Sequence, residues 1–120
     1  MTNPIILTRV GELTDSSLVT LKAIIENNDR YFDSETIKSK TKSDGRTLGS
    51  TLSAISKQFI DEKALIVPFG KKSQRVKRER NGEVVEISMP VQVWEVNQIL
   101  LDNKNEILER INQILKVLQQ

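Results

Sequence analysis

Apolar residues recur along this chain in two rhythms, one near 3.6 and one near 2, and their order predicts helices, then strands, then a final helix. Thr14-Asp15-Ser16-Ser17 is a run of good N-cap residues. Leu18, Leu21, Ile24 and Ile25 follow at the spacing of one buried helical face, up to the breaker Asn27-Asn28-Asp29. Asp33-Ser34 offers a second cap, for a short helix with Ile37 inward and Lys38, Lys40 and Lys42 along its polar side. Ser43-Asp44-Gly45 then makes a turn. A third helix is predicted over residues 45 to 62, because Leu48, Leu52, Ile55 and Phe59 recur at intervals of four, three and four and share one buried face. Arg46, Ser50, Ser53 and Lys57 land opposite, flanked by Thr47 and Ala54, on a face that is small, hydroxylated and basic.

The second half changes rhythm. Ala64-Leu65-Ile66-Val67-Pro68-Phe69 reads as a strand. The alternating Arg75-Val76-Lys77 leads to Asn81-Gly82, a strong signal for a two-residue hairpin turn, and Glu83 to Ser88 return from it. Across that turn Lys77 and Arg80 can face Glu86 and Glu83. Val91 to Val96 is suited to pair with Leu65 to Phe69, which makes Trp94 a core or interface residue. Asn97 caps a last helix of about 22 residues. On it Leu100, Ile107, Ile111, Ile114 and Leu118 follow a four-three alternation, with Leu101, Leu108 and Leu115 as a second row beside them. So wide a stripe on a terminal helix predicts pairing with a second copy, a homodimer. Residues 1–13 are open to two readings, a short strand or a helical arm packed on a partner subunit.

Composition narrows the chemistry. The chain has neither cysteine nor histidine, which removes disulfides, thiolate and imidazole metal sites and the usual general base. No acidic cluster suggests a carboxylate metal site, so no metal and no cofactor are expected, and no catalytic role. Gly70-Lys71-Lys72-Ser73 is not a phosphate-binding loop, since the place of its first glycine is held by Leu65. The apolar start Ile5-Ile6-Leu7 is too short for a signal-peptide core, and the longest apolar run is far below the ~20 residues of a membrane span. The expectation is a cytoplasmic protein without membrane contact.

Charge adds a direction. The net charge is +2, yet residues 38–80 carry twelve basic side chains against four acidic ones, leaving the remainder net acidic. Such segregation is the footprint of a surface that meets a polyanion.

The order helix, short helix, turn, helix, strand, long basic hairpin, strand, helix resembles a winged helix-turn-helix domain, an α+β and mostly helical fold. The stretch from Arg46-Thr47-Leu48-Gly49-Ser50-Thr51-Leu52 through Phe59-Ile60-Asp61-Glu62-Lys63-Ala64-Leu65-Ile66 is similar to the recognition helix and first wing strand of the MarR- and PadR-like regulators. The likeness spans residues 14 to 96 and is one of element order and periodicity. Its hairpin, Gly70 to Pro90, is longer than the family's wing. The resemblance implies a DNA-binding domain over residues 1–96 and a dimerisation helix over 97–120. It implies a sequence-specific double-stranded DNA-binding protein acting as a dimeric transcriptional regulator, or in plasmid or phage segregation or replication control. Arg46 would then read a base, with Thr47 and Ser50 on bases or phosphates and Ser53 beside them. Lys57, Lys38, Lys40, Lys42, Lys71, Lys72, Arg75, Lys77 and Arg78 would neutralise phosphates. A winged-helix protein–protein adaptor is the alternative.

Overall fold

The computed structural model describes residues 4–42, 45–60 and 62–118. Their architecture is α+β. Helix α1 (Pro4–Gly11) leads into α2 (Asp15–Asn27), whose first turn is closed by Thr14 Oγ1 accepting the Ser17 N–H at 3.3 Å. Asn28 ends α2 in the left-handed conformation, φ 57°, where its N–H returns to the Ile25 carbonyl. A three-residue strand β1 (Tyr31–Asp33) runs directly into α3 (Ser34–Thr41), capped by Asp33, and α4 (Gly45–Ser56) follows. The turn expected at Ser43-Asp44 lies outside the described residues.

After α4 come the two-residue strands β2 (Phe59–Ile60) and β3 (Lys63–Ala64), then the long hairpin of β4 (Ile66–Arg80) and β5 (Glu83–Val96). Asn81 and Gly82 both take positive φ, 53° and 81°, as a twist-matched two-residue turn requires. The register that follows pairs Arg80 with Glu83 and Lys77 with Glu86, and brings Ile66, Val67 and Pro68 opposite Val96, Glu95 and Trp94. With β1 on the other edge of β5, the sheet is antiparallel in the order β1-β5-β4. Helices α5 (Gln98–Asp102) and α6 (Lys104–Leu118) complete the chain.

One cluster of buried side chains joins all of this, from Ile6 and Val10 of α1 through Leu18, Leu21, Ile24 and Ile25 of α2 to Leu48, Leu52 and Ile55 of α4. Three expectations change here. The third helix ends at Ser56, and Phe59 is 51% exposed rather than buried. The Lys57 and Gln58 N–H groups close back onto Ala54 and Ile55, and pairing of Phe59 with Ala64 turns the chain so that Ile60 takes the inward place. Within residues 1–13, Pro4–Gly11 form a helix that packs on α6 of the same chain. The last helix is broken at Asn103, and Leu100, Ile107 and Ile111 are fully buried in the chain's own core. Those three cannot line a dimer seam. Leu101, Leu108, Ile114 and Leu115 pack against the same core and stay partly accessible, while the side chain of Leu118 lies outside the description. The core therefore runs across the boundary expected near Asn97. Among the described residues no helix is long and apolar enough to cross a membrane.

Two ion pairs tie the hairpin to the start of α3. Lys72 Nζ lies 3.3 Å from Asp33 Oδ2, and Arg78 Nη2 lies 2.9 Å from Glu35 Oε1. Asp33 also accepts the Thr36 N–H at 2.8 Å and the Thr36 hydroxyl. Burial pushes the Asp33 carboxyl up, but the Thr36 N–H and hydroxyl and the Lys72 ammonium together hold it below its ordinary 3.8.

Three outcomes follow for stability. Leu52→Ala or Ile55→Ala should cost roughly 2–5 kcal/mol in denaturant unfolding, as for a core leucine or isoleucine. Phe59→Ala should stay within about 0.5 kcal/mol, as at an exposed position. Asp33→Asn keeps a capping oxygen and removes the charge. Because the folded carboxyl titrates below its unfolded value, its charge stabilises above that value and the benefit is lost as pH falls through the folded one. The variant should therefore melt below the wild type at neutral pH and converge with it in strong acid. Melting curves at the two pH values check this, and a constant gap would assign the effect to the cap rather than the charge.

Candidate nucleic-acid interface

The strongest periodicity in the chain builds the candidate face. Leu48, Leu52 and Ile55 turn one side of α4 into the core, at 2%, 1% and 0% exposure, so the opposite side must look outward. Arg46, Thr47, Ser50 and Ser53 are exposed there, with Lys57 just beyond the helix end. Arg46 and Ser53 stand two turns apart, about 10 Å along the axis. Neighbouring hydroxyls are spent inside the helix: Thr51 donates to the Thr47 carbonyl at 2.9 Å and Ser56 to the Ser53 carbonyl at 2.6 Å. The helix itself carries no acid. Among the described residues neither Arg46 nor Lys57 has a carboxylate within ion-pair distance.

The lysines of α3 do not form one patch. Lys38 is half-buried against α4, beside Leu48, Gly49 and Leu52. Lys40 is exposed over a dip shared with Val19, Lys22 and Glu26 of α2, and Lys42 sits in the left-handed conformation past the end of α3. Lys38 adjoins the α4 surface.

The hairpin cations divide as well. Cross-strand partners in the register share a face, so Lys71, Arg75 and Lys77 lie on the face of Gln92, Ser88 and Glu86, which continues to Trp94. Lys72, Arg78 and Arg80 lie on the opposite face with Val91, Val85 and Glu83. Lys72 and Arg78 are the two residues bound to Asp33 and Glu35, and Arg78 also approaches Met89 Sδ at 3.5 Å. These two were expected to neutralise phosphates; in the structure each pairs with a carboxylate, Asp33 at the end of β1 and Glu35 in the first turn of α3. Across the ribbon the charges of Lys77 and Arg80 stand opposite Glu86 and Glu83. Lys71, Arg75 and Lys77 are exposed cations of the hairpin on the face shared with Trp94, opposite Gln92, Ser88 and Glu86.

One cluster escaped the sequence reading. Tyr31 and Phe69 are 42% and 61% exposed and in ring contact at 4.7 Å, with the Arg30 guanidinium 5.7 Å over the Tyr31 ring. Arg30 is in turn held by Glu95 at 3.1 Å. Phe59 and Val67 border a nearby open cleft of about 570 Å³, walled by Ile66, Pro68 and Lys63. The available signals were the β-period, which sets Tyr31 opposite in direction to the buried Phe32, and the bulge after Pro68 that inserts Phe69 into the strand. Neither marks exposure by itself.

Among the described residues no group of three or more Asp or Glu side chains is placed to hold a metal ion. Comparisons of the chain with protein-family models, with curated proteins and with solved structures returned no match.

Proposed function

We propose that this chain is a winged helix-turn-helix protein that binds double-stranded DNA in a sequence-specific way, as a cytoplasmic, dimeric, non-enzymatic regulator. The observation that carries the reading is the outward side of α4: Arg46, Thr47, Ser50 and Ser53 exposed on a helix with no acid, with Lys57 exposed just past its end. A helix reads base edges where its outward side chains reach the floor of a major groove roughly 12 Å wide, and small hydroxylated and basic ones can do so. Element order supports the same reading. Helix α2, strand β1, helices α3 and α4 and the β4–β5 hairpin follow in turn, and the short strand β1 pairs with the returning strand β5. In this arrangement α4 is the reading helix, and Lys71 and Arg75 meet phosphate from the hairpin.

Self-association belongs to the proposal too, narrowed to the outer row of the last helices. Leu101, Leu108 and Leu115 repeat every seven residues and remain partly accessible. Asn105 and Asn112 lie beside that row, and polar residues so placed in a helix pair favour one register.

A second reading rests on the exposed Tyr31, Phe59 and Phe69. Exposed aromatic side chains are characteristic of protein–protein contact, and Phe59 borders a cleft, so an adaptor without DNA binding is the competing function.

Fluorescence anisotropy with duplex DNA separates the two. Random duplex should bind in a strongly salt-dependent way, and Lys71→Ala with Arg75→Ala should lower affinity for every sequence and reduce the log–log salt slope by up to ~2. Arg46→Ala should weaken binding to a site selected in vitro by about 1–3 kcal/mol while barely changing random-sequence binding. Equal losses on both would make Arg46 a phosphate contact, and no DNA binding at moderate salt would favour the adaptor. In sedimentation velocity the intact chain should run as a dimer at micromolar concentration and Leu108→Glu as a monomer. A monomeric wild type removes self-association from the proposal.

A further inference from the structure

We infer that the outer edge of β4 binds an extended acidic segment of a partner protein, which adds to the sheet as a further strand. The sheet order β1-β5-β4 leaves β4, Ile66–Arg80, at an edge along its whole length. Which of its backbone groups are free follows from the turn. Asn81-Gly82 is a two-residue loop, so Arg80 and Glu83 are the hydrogen-bonded pair that closes it. Antiparallel pairs alternate, so Arg78, Val76, Gln74 and Lys72 also bond to β5, and the residues between them turn N–H and C=O outward. The far end of β5 agrees. There the Val96 N–H bonds to the Arg30 carbonyl on the β1 side at 2.7 Å, which leaves Val91 and its alternates facing β4. The outward row is therefore Lys71, Ser73, Arg75, Lys77 and Glu79. Of its carbonyls, that of Lys77 accepts from Arg78 Nη1 at 3.1 Å, and among the described residues no backbone elsewhere in the chain bonds to this row.

The side chains of that row choose the partner. They share one face of the ribbon, where Lys71, Arg75 and Lys77 are exposed and, among the described residues, have no carboxylate within ion-pair distance. A strand laid antiparallel on the edge sets every second residue directly opposite the row and on the same face. Opposite charges so placed attract, and like charges repel. Natural edges refuse pairing with proline, bulges and lysine. Here Pro68, which has no N–H, and the bulge between Pro68 and Gly70 stop the edge at its foot, and the cations refuse a second copy of β4. The same cations favour a strand with acids at alternate positions. Glu79 ends the row, so the acidic stretch of the partner lies against residues 71–77. The ribbon's other edge, β5 beyond the reach of β1, carries Pro90 and Glu86 and offers no such row. Lys72 and Arg78 hold Asp33 and Glu35 from the opposite face, so strand addition leaves those pairs in place. Duplex DNA meets the charge of this row but not its backbone groups, so the inference does not rest on the DNA reading. Where both hold, peptide and duplex compete for Lys71 and Arg75.

The probe is a fluorescein-labelled, strand-length peptide of alternating glutamate and threonine. In fluorescence anisotropy it should bind the intact chain saturably, and the amide resonances of Lys71, Ser73, Arg75 and Lys77 should shift while those of α6 do not. Two controls separate strand addition from charge attraction. The same peptide N-methylated at its glutamates keeps every charge and loses the donors that meet the edge, and it should bind about tenfold more weakly. Ser73→Pro removes an outward N–H at a position that makes no ladder bond to β5, a change that edge strands tolerate. It should weaken peptide binding about threefold or more and leave random-duplex binding unchanged. The inference is overturned if the peptide shows no saturable binding, or if the N-methylated peptide or an alternating lysine–threonine peptide binds equally well. Resonance shifts confined to elements other than β4 and β5 overturn it too. Should Ser73→Pro lose the wild-type circular dichroism, the N-methylated peptide on the wild-type chain decides. Peptide binding without duplex binding keeps the inference and removes the DNA reading, and duplex binding without peptide binding does the reverse.

Discussion

Much of this fold turns on the handover at Asn97, where the sheet ends and the last helices begin. The Asn97 N–H donates to the Leu65 carbonyl at 2.9 Å, and its side-chain amide donates to the Ala64 carbonyl at 3.2 Å. Its side-chain oxygen accepts the Ile99 N–H and so caps α5. One residue thus satisfies backbone groups from the foot of the hairpin and from the start of a helix, groups that would otherwise be orphaned near the core. Around it Leu65, Ile66, Val96 and Leu100 are all buried, at 1% exposure or less. The polar tie and the apolar contacts fix the direction in which α6 leaves, and with it the covering of α1 and α2.

The candidate interface inherits its geometry from that arrangement. Helix α4 is held by its buried row against α2 and the hairpin, so its outward side is a consequence of packing rather than of any contact it makes. The hairpin is held at its foot by Asn97 and farther out by Lys72 with Asp33 and Arg78 with Glu35. These pairs spend charge on positioning. A cation bound to a carboxylate on the neighbouring helix contributes to orientation of the ribbon and much less to a polyanion's field. The surface left for a partner is smaller and more specific in composition than the charge total of residues 38–80 suggests.

The described surface carries two chemically different faces. One is the acid-free side of α4 with the exposed hairpin cations, and the other holds exposed aromatics, the Tyr31–Phe69 pair and Phe59 at its cleft. They arise from different features of the sequence, a helical period of small and basic residues in the first case and a bulged strand with an exposed β2 in the second.

Much of this was legible in the residues alone. Local rules suffice where one element satisfies its own requirements: the Thr14 and Asp33 caps, the Asn81-Gly82 turn with its register, and the 3.6-period row of α4 each depend on neighbours a few residues away. The outward positions of Arg46, Ser50 and Ser53 follow from that row by subtraction. Tertiary structure decided the rest, because the competing partners are distant in sequence. Phe59 continues the α4 spacing but is exposed, since pairing with Ala64 turns the chain and Ile60 takes the buried place. Leu100, Ile107 and Ile111 have the spacing of a dimer seam, yet the chain's own core buries them, with α1 and α2 packed on α6. A hydrophobic period states that a face will be covered and is silent on whether the cover comes from the same chain. Likewise a run of basic residues states a charge, whereas only the fold brings Asp33 and Glu35 to Lys72 and Arg78 and leaves Lys71 and Arg75 to face outward.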